Sequence, residues 1–213
     1  MTTLEPFVKG KTVSIVANAS SIIGNGDPGE IDGRDVVIRL SLLNPIPEQH
    51  KAWIGSRTDI IYCGWRRWDE LVLRRKHSPE YWMYHWKDNP NDVRNFLGAK
   101  AIPKSKIVED ILSKKYDHLK KHPSRWSPTS GTMCFYDACI SGAKEIYLTG
   151  YDFLRTIDRV CGYPALGKER MSIDGASNSH HDLHIDEIVL KDLIGEGYPI
   201  KLDRILTEIM EQV

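Results

Sequence analysis

The chain has 213 residues, a length that suits one domain with a sizeable hydrophobic core. Its 29 lysines and arginines balance its 29 aspartates and glutamates, so net charge gives no general attraction to nucleic acid or to a membrane surface. No apolar run follows the start, and no stretch approaches the ~18 apolar residues of a membrane span. We therefore expect a single domain over residues 1–213, without a membrane span, in the cytoplasm.

Cysteines and basic residues add two further expectations. Two basic clusters, at residues 66–76 and 114–125, could contact an anionic acceptor, although such runs more often form solvated helix faces. The cysteines lack the spacing of a metal site, which favours free thiols in a cytoplasmic protein. They are Cys63, Cys134, Cys139 and Cys161.

The first predicted strand leads into a candidate ligand loop. Residues 11–17, KTVSIVA, are rich in β-branched side chains and predict a buried strand. A small polar loop follows, beginning with Asn18, Ala19 and Ser20. Open α/β sheets bind ligands at such strand ends, so this loop is either a ligand contact or an ordinary turn. The glycines after it lack the dinucleotide-binding spacing, which disfavours nicotinamide and flavin enzymes.

A second strand is predicted at residues 35–40, DVVIRL, and it carries Arg39 inside an apolar run. A charge in a buried strand needs a partner, so Arg39 is either a structural ion-pair member or a ligand contact. A turn and a third strand follow at residues 54–64. The aromatic segment from Trp65 to Trp86 then predicts either a surface that stacks sugars or bases, or a satellite core under a helical excursion.

Residues 105–121 predict an amphipathic helix that closes this helical and aromatic excursion, which spans about residues 65–125. Ser105 can cap the helix, and lysines fill its last turns. The predicted apolar face consists of Ile107, Ile111, Leu112 and Leu119.

Residues 127–153, SPTSGTMCFYDACISGAKEIYLTGYDF, combine a polar turn, a helix and a strand. Thr129 or Ser130 can cap the helix, and Gly131 leaves space for a ligand to approach the backbone. The helix is apolar almost all round, as a buried helix should be, and Gly142 can end it. A hydroxyl-rich loop before a helix N-terminus suits an anion; the alternative is an ordinary capped helix and strand.

The C-terminal third predicts a loop followed by three short elements. Residues 154–179 have little periodicity, which predicts a mobile active-site lid or a disordered loop. A helix is expected at residues 182–194, a strand at 198–202 and a short amphipathic helix from Asp203.

Three histidines lie at the start of the first of these helices: His180, His181 and His184. Strong zinc patterns are absent, and adjacent histidines point in different directions, which disfavours a metal site. A single histidine at a helix start beside a flexible loop suits a general base. Exposed polar residues at a helix start are the alternative.

Three separated blocks, in this order, resemble glycosyltransferase family 29, the sialyltransferases, and more weakly the bacterial family 42. SIVANASSIIG, GEIDGRDVVIRL and IGSRTDIIY together are similar to the large motif of the family. PTSG, its helix and KEIYLTGYDF are similar to the small motif. HHDLHIDEIVLKDLIGEG is similar to the C-terminal histidine motif, and it aligns His181 and Asp186 with the family's histidine and glutamate. Residues 65–125 have no such match.

The resemblance implies a single GT-A-like, Rossmann-type α/β nucleotide-binding domain with a mainly parallel sheet flanked by helices. It implies inverting, metal-independent transfer of sialic acid or a similar acidic sugar, such as 3-deoxy-octulosonic acid, from a CMP-sugar to a hydroxyl. The acceptor would be a glycan or another hydroxyl compound. The CMP-sugar is a substrate, and no cofactor is expected. The chain looks like a minimal bacterial or phage member, because the anchor and paired cysteines of secretory members are not evident.

The resemblance also implies residue roles. His181 matches the catalytic base, and Tyr163 and His180 are candidates for stabilising the leaving phosphate. Where the family has an asparagine two residues after the strand arginine, this chain has Ser41. The expected donor-binding residues are Asn18, Ala19, Ser20, Arg39, Ser41, Thr129, Ser130, Gly131, Thr132, Gly150, Tyr151 and Asp152.

Three alternatives stay open. A nucleotide-binding module without catalysis would keep the same sheet and loops. A related glycosyltransferase with another donor could act on an anionic polymer such as modified DNA, so nucleic acid is an open but less favoured partner. A hydrolase using Ser130, His181 and Asp182 is disfavoured, because no Gly-X-Ser-X-Gly elbow surrounds the serine.

Overall fold

The structure is a computed structural model, and it describes residues 2–40, 46, 48–62, 81–84, 101–119, 128–153, 155 and 183–212. Four of the predicted site residues lie outside these ranges: Ser41, Tyr163, His180 and His181. The predicted loop at residues 154–179 also lies outside them, apart from Arg155.

The described residues contain seven parallel strands, which form one sheet. In space the strands follow the order β5-β4-β3-β2-β1-β6-β7. The sheet confirms the predicted α/β fold with a mainly parallel sheet. In chain order the strands are β1 (Thr12–Val16), β2 (Val36–Leu40), β3 (Ile60–Tyr62), β4 (Tyr81–Tyr84), β5 (Ala101–Pro103), β6 (Glu145–Thr149) and β7 (Ile200–Leu202).

Helices flank the sheet, and short 3₁₀ turns occur at Ser20–Ile22, Glu48–His50 and Asp117–Leu119. Within the described ranges, no helix has the length and apolar character needed to cross a membrane. The α-helices are α1 (Glu5–Val8), α2 (Pro28–Asp32), α3 (Lys51–Ile54), α4 (Lys106–Lys115), α5 (Ser130–Ile140), α6 (Leu183–Gly195) and α7 (Arg204–Glu211).

The sheet buries apolar side chains on both faces, as parallel sheets do. The larger core joins β1, β2, β3 and β6 to helices α4, α5, α6 and α7. The smaller core, on the opposite face, consists of Val16, Ile22, Ile31, Val37, Ile54 and Tyr147. Of the central strand β1, Val13 and Ile15 belong to the larger core and Val16 to the smaller one, as expected of a strand that is covered on both sides.

Helix α5 lies inside the larger core and is buried from Gly131 to Cys139, which confirms the predicted burial. It ends at a glycine in the left-handed region, Gly142, whose φ is 78°. The amide of Ala143 donates to the carbonyl of Ala138 at 3.2 Å, which completes a Schellman cap. The predicted stop at Gly142 is therefore confirmed.

Two cysteines of α5, Cys134 and Cys139, are buried free thiols, as predicted. Burial raises the pKa of both thiols, that of Cys139 to about 12. Both therefore stay protonated and unreactive near neutral pH. Cys63 and Cys161 lie outside the described residues.

Helix α4 faces the core through a different set of residues from the predicted one. Val108, Leu112 and Tyr116, spaced four residues apart, are buried. Ile107 is 51% exposed and Ile111 is 38% exposed, so the predicted apolar face was wrong for these two residues. The stripe at every fourth position faces the sheet, and the two isoleucines lie one position outside it.

Part of the aromatic segment belongs to the main sheet rather than to a helical excursion. Ile60 of β3 pairs with Tyr81 of β4, and Trp82 of β4 pairs with Ala101 of β5, both in parallel register. The sequence analysis missed both strands, because the aromatic residues of β4 were interpreted as a stacking surface or a satellite core, and because the proline that ends β5 argues against a strand.

A carboxylate also lies in the larger core. Asp137 of α5 is fully buried, and the hydroxyl of Ser141 donates to its Oδ1 at 3.0 Å. Burial raises the pKa of Asp137 to about 6, and the hydrogen bond from Ser141 partly opposes this rise. The folded protein therefore binds a proton at Asp137 more readily than the unfolded chain does.

We expect Asp137→Asn to remove a pH dependence of stability. Since the folded pKa lies above the ordinary value of 3.8, the contribution of Asp137 to stability is fully present below about pH 3.8. It is lost as pH rises through about 6, by about 3 kcal/mol in total. Urea unfolding of wild type and variant across this range measures the difference. A difference that is constant with pH would contradict the prediction.

Candidate functional site at the carboxyl edge of the sheet

The chain changes direction across the sheet between β1 and β6. Strands β1 to β5 run outward in one direction, and β6 and β7 lie on the other side of β1. The crossovers that leave neighbouring strands in opposite directions open a crevice beyond their carboxyl ends. Open α/β sheets bind ligands in this kind of crevice, so the carboxyl edge at β1 and β6 is the candidate site.

Backbone hydrogen bonds continue between the two chain segments beyond the ends of β1 and β6. The amide of Ala17 donates to the carbonyl of Thr149 at 2.8 Å, and the amide of Ala19 donates to that of Gly150 at 3.0 Å. Asn18 lies between the two donating amides and is partly exposed. Its backbone is therefore fixed at the mouth of the crevice, while the side chain of Ala19 is buried.

Gly150 is the residue that allows this close approach. Its φ is 65°, and a Cβ there would lie 2.7 Å from the carbonyl oxygen of Ala17 and 3.1 Å from Cδ1 of Ile22. A side chain at this position would meet both a strained backbone and occupied space. Gly150 thus shapes the edge, and its predicted contact with the donor stays a prediction.

The side chain of Asp203 stabilises the turn at Gly150. Its Oδ2 accepts from the hydroxyl of Thr149 and from the amide of Gly150, both at 2.8 Å. Its Oδ1 accepts from the amide of Leu206 at 2.7 Å and caps α7. An aspartate before an amphipathic run predicts only the cap, so the sequence analysis missed the second role.

Three hydroxyls form a closed cluster between α5 and the turn after β6. Tyr151 Oη lies 2.7 Å from Thr129 Oγ1 and 3.1 Å from Thr132 Oγ1, and the two threonine oxygens are 3.0 Å apart. Thr129 also accepts from the amide of Thr132 at 3.2 Å as the cap of α5. Burial raises the pKa of the Tyr151 hydroxyl, which therefore stays protonated. These hydroxyls hold one another, and Thr132 is fully buried.

The space beside Gly131 is filled by the ring of Tyr151. A Cβ on Gly131 would lie 2.3 Å from Cε2 of that ring. The same ring packs edge-on against Phe135 at 5.9 Å and Phe153 at 5.0 Å between centroids. The space that the missing side chain of Gly131 leaves is therefore filled by an aromatic side chain of the protein, and a donor contact at its backbone stays a prediction.

Ser130 has different surroundings from the threonines on either side. The ammonium of Lys104 donates to Ser130 Oγ at 3.0 Å. Lys104 follows β5, is 2% exposed, and its Nζ lies 4.4 Å from the centroid of the Tyr62 ring. The sequence analysis did not identify Lys104, because one lysine between a short strand and a capping serine gives no periodic signal.

Arg39 is bound by protein groups. Its Nε donates to the carbonyl of Arg57 at 2.9 Å and to Thr58 Oγ1 at 3.0 Å, and one terminal nitrogen donates to the carbonyl of Ile54 at 2.7 Å. The side chain is fully buried, and Asp32 Oδ1 lies 3.9 Å away. These contacts support the structural alternative for Arg39, which ties β2 to the segment before β3.

The start of α6 lies close to the same edge. Asp186, in the first turn of α6, is fully buried, and its charge adds to the burial that raises the pKa of Tyr151. Arg155 pairs with Glu187 of α6 at 3.2 Å, which joins the segment after Asp152 to this helix. The helix that begins two residues after His181 is therefore anchored at the candidate site.

The predicted site residues thus divide into three groups. Arg39 is bound by protein groups, and Ser41, Tyr163, His180 and His181 lie outside the described ranges. In the part of the chain that the structure describes, no three His, Cys, Asp or Glu side chains could hold a metal ion, and metal independence stays a prediction. The residues that the fold gathers at the edge are Asn18, Ala19, Ser20, Thr129, Ser130, Gly131, Thr132, Gly150, Tyr151 and Asp152.

We expect Gly131→Ala to destabilise the protein by about 1–3 kcal/mol, because the new methyl group would overlap the Tyr151 ring. Gly195→Ala is the matched control. Gly195 ends α6 with no atom within 4 Å of a Cβ, so this change should be neutral or stabilising by up to about 1 kcal/mol. Denaturant unfolding measures both. Equal stability of Gly131→Ala and wild type would show that the ring does not occupy this space.

Comparison with known proteins finds a likeness in structure alone. No family model and no curated protein matches the sequence. A mammalian sialyltransferase, solved in complex with Gal-beta-1-3GalNAc-ortho-nitrophenol, superposes with a TM-score of 0.60 and 12% identity. The match covers 93% of this chain and 71% of that one.

Two sialyltransferases from Campylobacter jejuni are also similar. CstII, solved in complex with cytidine-5′-monophosphate, has a TM-score of 0.53 and 19% identity over 90% of this chain and 78% of its own. The alpha-2,3-sialyltransferase Cst-I has a TM-score of 0.54 and 19% identity, and the match covers 89% of this chain and 74% of that one. The chain therefore has a sialyltransferase-like fold.

Proposed function

We propose that the protein is a glycosyltransferase that moves an acidic sugar from a CMP-sugar donor to an acceptor hydroxyl. One observation carries this proposal. The fold matches sialyltransferases over about nine-tenths of the chain, including one solved with cytidine monophosphate and one solved with a disaccharide derivative. The same family was expected from three sequence blocks, and the loop of the first block is hydrogen-bonded to the turn of the second at one edge of the sheet.

The nucleotide is proposed to lie in the crevice beyond β1 and β6. Asn18, fixed between the amides of Ala17 and Ala19, presents an amide side chain at the mouth of this crevice. The donor's phosphate or carboxylate is proposed to lie at the start of α5, where free backbone amides and the helix dipole favour negative charge. The first backbone hydrogen bond of the helix runs from the amide of Met133 to the carbonyl of Thr129. The amide of Ser130 comes before it and therefore has no partner within the helix.

The proposed reaction inverts the anomeric carbon and uses no metal. His181 takes the proton of the acceptor hydroxyl while its oxygen attacks the anomeric carbon, and CMP leaves with the electrons of the broken bond. Histidine suits this step because its ordinary pKa lies near neutral pH. Tyr163 or His180 is proposed to donate a hydrogen bond to the leaving phosphate. The helix after His181 is tied to the site through Arg155 and Glu187.

Sialic acid and 3-deoxy-octulosonic acid are the proposed sugars, because both are carried by CMP. A glycan is the proposed acceptor, and the cytoplasm is the proposed location. A nucleotide-binding module without catalysis would use the same crevice, so binding and turnover must be measured separately.

We expect the protein to bind CMP in preference to UDP, GDP and ADP, with the same affinity in EDTA. Cytosine recognition and metal-free binding of the phosphate both follow from the proposed site. Isothermal titration calorimetry with each nucleotide, with and without chelator, measures this. Selective binding of another nucleotide would replace the donor, loss of binding in EDTA would overturn the metal-free mechanism, and no binding would overturn the proposed function.

We expect His181→Ala to lower turnover by about 10²- to 10⁴-fold while CMP affinity stays unchanged, since the base acts on the acceptor. His184→Ala is the control, because His184 is an exposed histidine in the first turn of α6. The His184→Ala variant should retain both the turnover and the CMP affinity of wild type. Sugar transfer from a radiolabelled CMP-sugar measures turnover. An unchanged rate in His181→Ala would remove this residue from catalysis.

A further inference from the structure

We propose that Lys104 is a positioning residue that orients the Ser130 hydroxyl so that it donates to an anionic group of the donor. The anion is the phosphate or the sugar carboxylate. This inference rests on the proposed function, which supplies the donor. It adds a residue from the end of β5, outside the three sequence blocks, to the site.

The geometry of the hydrogen bond fixes the hydroxyl. Lys104 Nζ lies 3.0 Å from Ser130 Oγ, and an ammonium can only donate. The serine oxygen therefore accepts from Lys104 and directs its own proton away from the ammonium. Among the residues that the structure describes, Ser130 Oγ makes no other hydrogen bond, so its proton is available to an acceptor at the partly exposed start of α5.

The neighbouring hydroxyls cannot serve in the same way. Thr129, Thr132 and Tyr151 form a ring in which each oxygen lies within hydrogen-bond distance of the other two. Each hydroxyl has one proton, and this ring can use all three. Of the hydroxyls in this loop, Ser130 is consequently the one whose proton is free to bind a ligand.

The position of the charge is favourable for a bound anion. Burying an ammonium costs free energy, and the start of a helix carries a partial positive charge that disfavours a second cation. The aromatic face of Tyr62, 4.4 Å from Lys104 Nζ, offsets part of this cost. An anion bound at the start of α5 would interact favourably with both the helix and the ammonium.

The test compares ligands that differ by one charged group. Wild type, Lys104→Met, Ser130→Ala and the double variant are titrated with cytidine, CMP and a non-hydrolysable CMP-sialic acid analogue. Lys106→Met is the control, because Lys106 is exposed and pairs with Asp110 on α4. Thermal unfolding confirms that each variant is folded before titration.

We expect Lys104→Met to weaken binding of the anionic ligand roughly 10- to 100-fold and to leave cytidine binding unchanged. The control Lys106→Met should bind all three ligands as wild type does. A loss of affinity for CMP that is absent for cytidine identifies the phosphate as the anion. A loss seen only with the analogue identifies the carboxylate. The double variant should lose no more than the stronger single variant, because both changes remove one contact.

Several outcomes would overturn the inference. An equal loss for cytidine would assign Lys104 a structural role, and additive losses would mean that it does not act through Ser130. Unchanged affinity for both anionic ligands would exclude it from the site. If Lys104→Met does not fold, Ser130→Ala decides, since it must reproduce the anion-specific loss. Failure of wild type to bind CMP would instead overturn the proposed function itself.

Discussion

Two backbone hydrogen bonds beyond the ends of β1 and β6 set the geometry on which the candidate site depends. They run from Ala17 to Thr149 and from Ala19 to Gly150, and they keep the two loops together after the strands have ended. The second loop can approach so closely because Gly150 has no side chain and adopts a positive φ. This junction sets the positions of the donor contacts that we propose, since Asn18 lies on one side of it and the start of α5 on the other.

The polar groups around the start of α5 have two kinds of task. The hydroxyls of Thr129 and Tyr151 lie 2.7 Å apart and fix the helix against the turn after β6, while their predicted contacts with the donor stay predictions. Ser130 and Lys104 lie beside them, and their hydrogen bond leaves one proton directed elsewhere. The anion site that we propose would thus combine a rigid frame with a hydroxyl for the ligand, because adjacent residues would serve the two purposes.

The sequence predicted the elements whose patterns are long or unusual. The β-branched run before Asn18 and the continuously apolar helix α5 were placed correctly, because burial on both sides leaves a clear compositional signal. Strands β4 and β5 were missed because the aromatic residues of β4 suggested a surface or satellite core and a proline ends β5. Ile107 was assigned to the core because only packing decides which of two adjacent apolar stripes faces the sheet. The ring beside Gly131 and the approach of Lys104 were beyond prediction, since both join segments that are distant in sequence.

The two roles of Asp203 bear on when the site can form during folding. Asp203 lies 54 residues beyond Thr149 in the sequence, and its carboxylate accepts a hydrogen bond from the hydroxyl of Thr149. The same carboxylate caps α7. A chain that is still emerging from the ribosome cannot complete the turn at Gly150 until this aspartate has been made and α7 has docked. The crevice can therefore reach its final shape only after Asp203 is in place, although the strand that leads into it, β1, is synthesised before all of the residues that complete it.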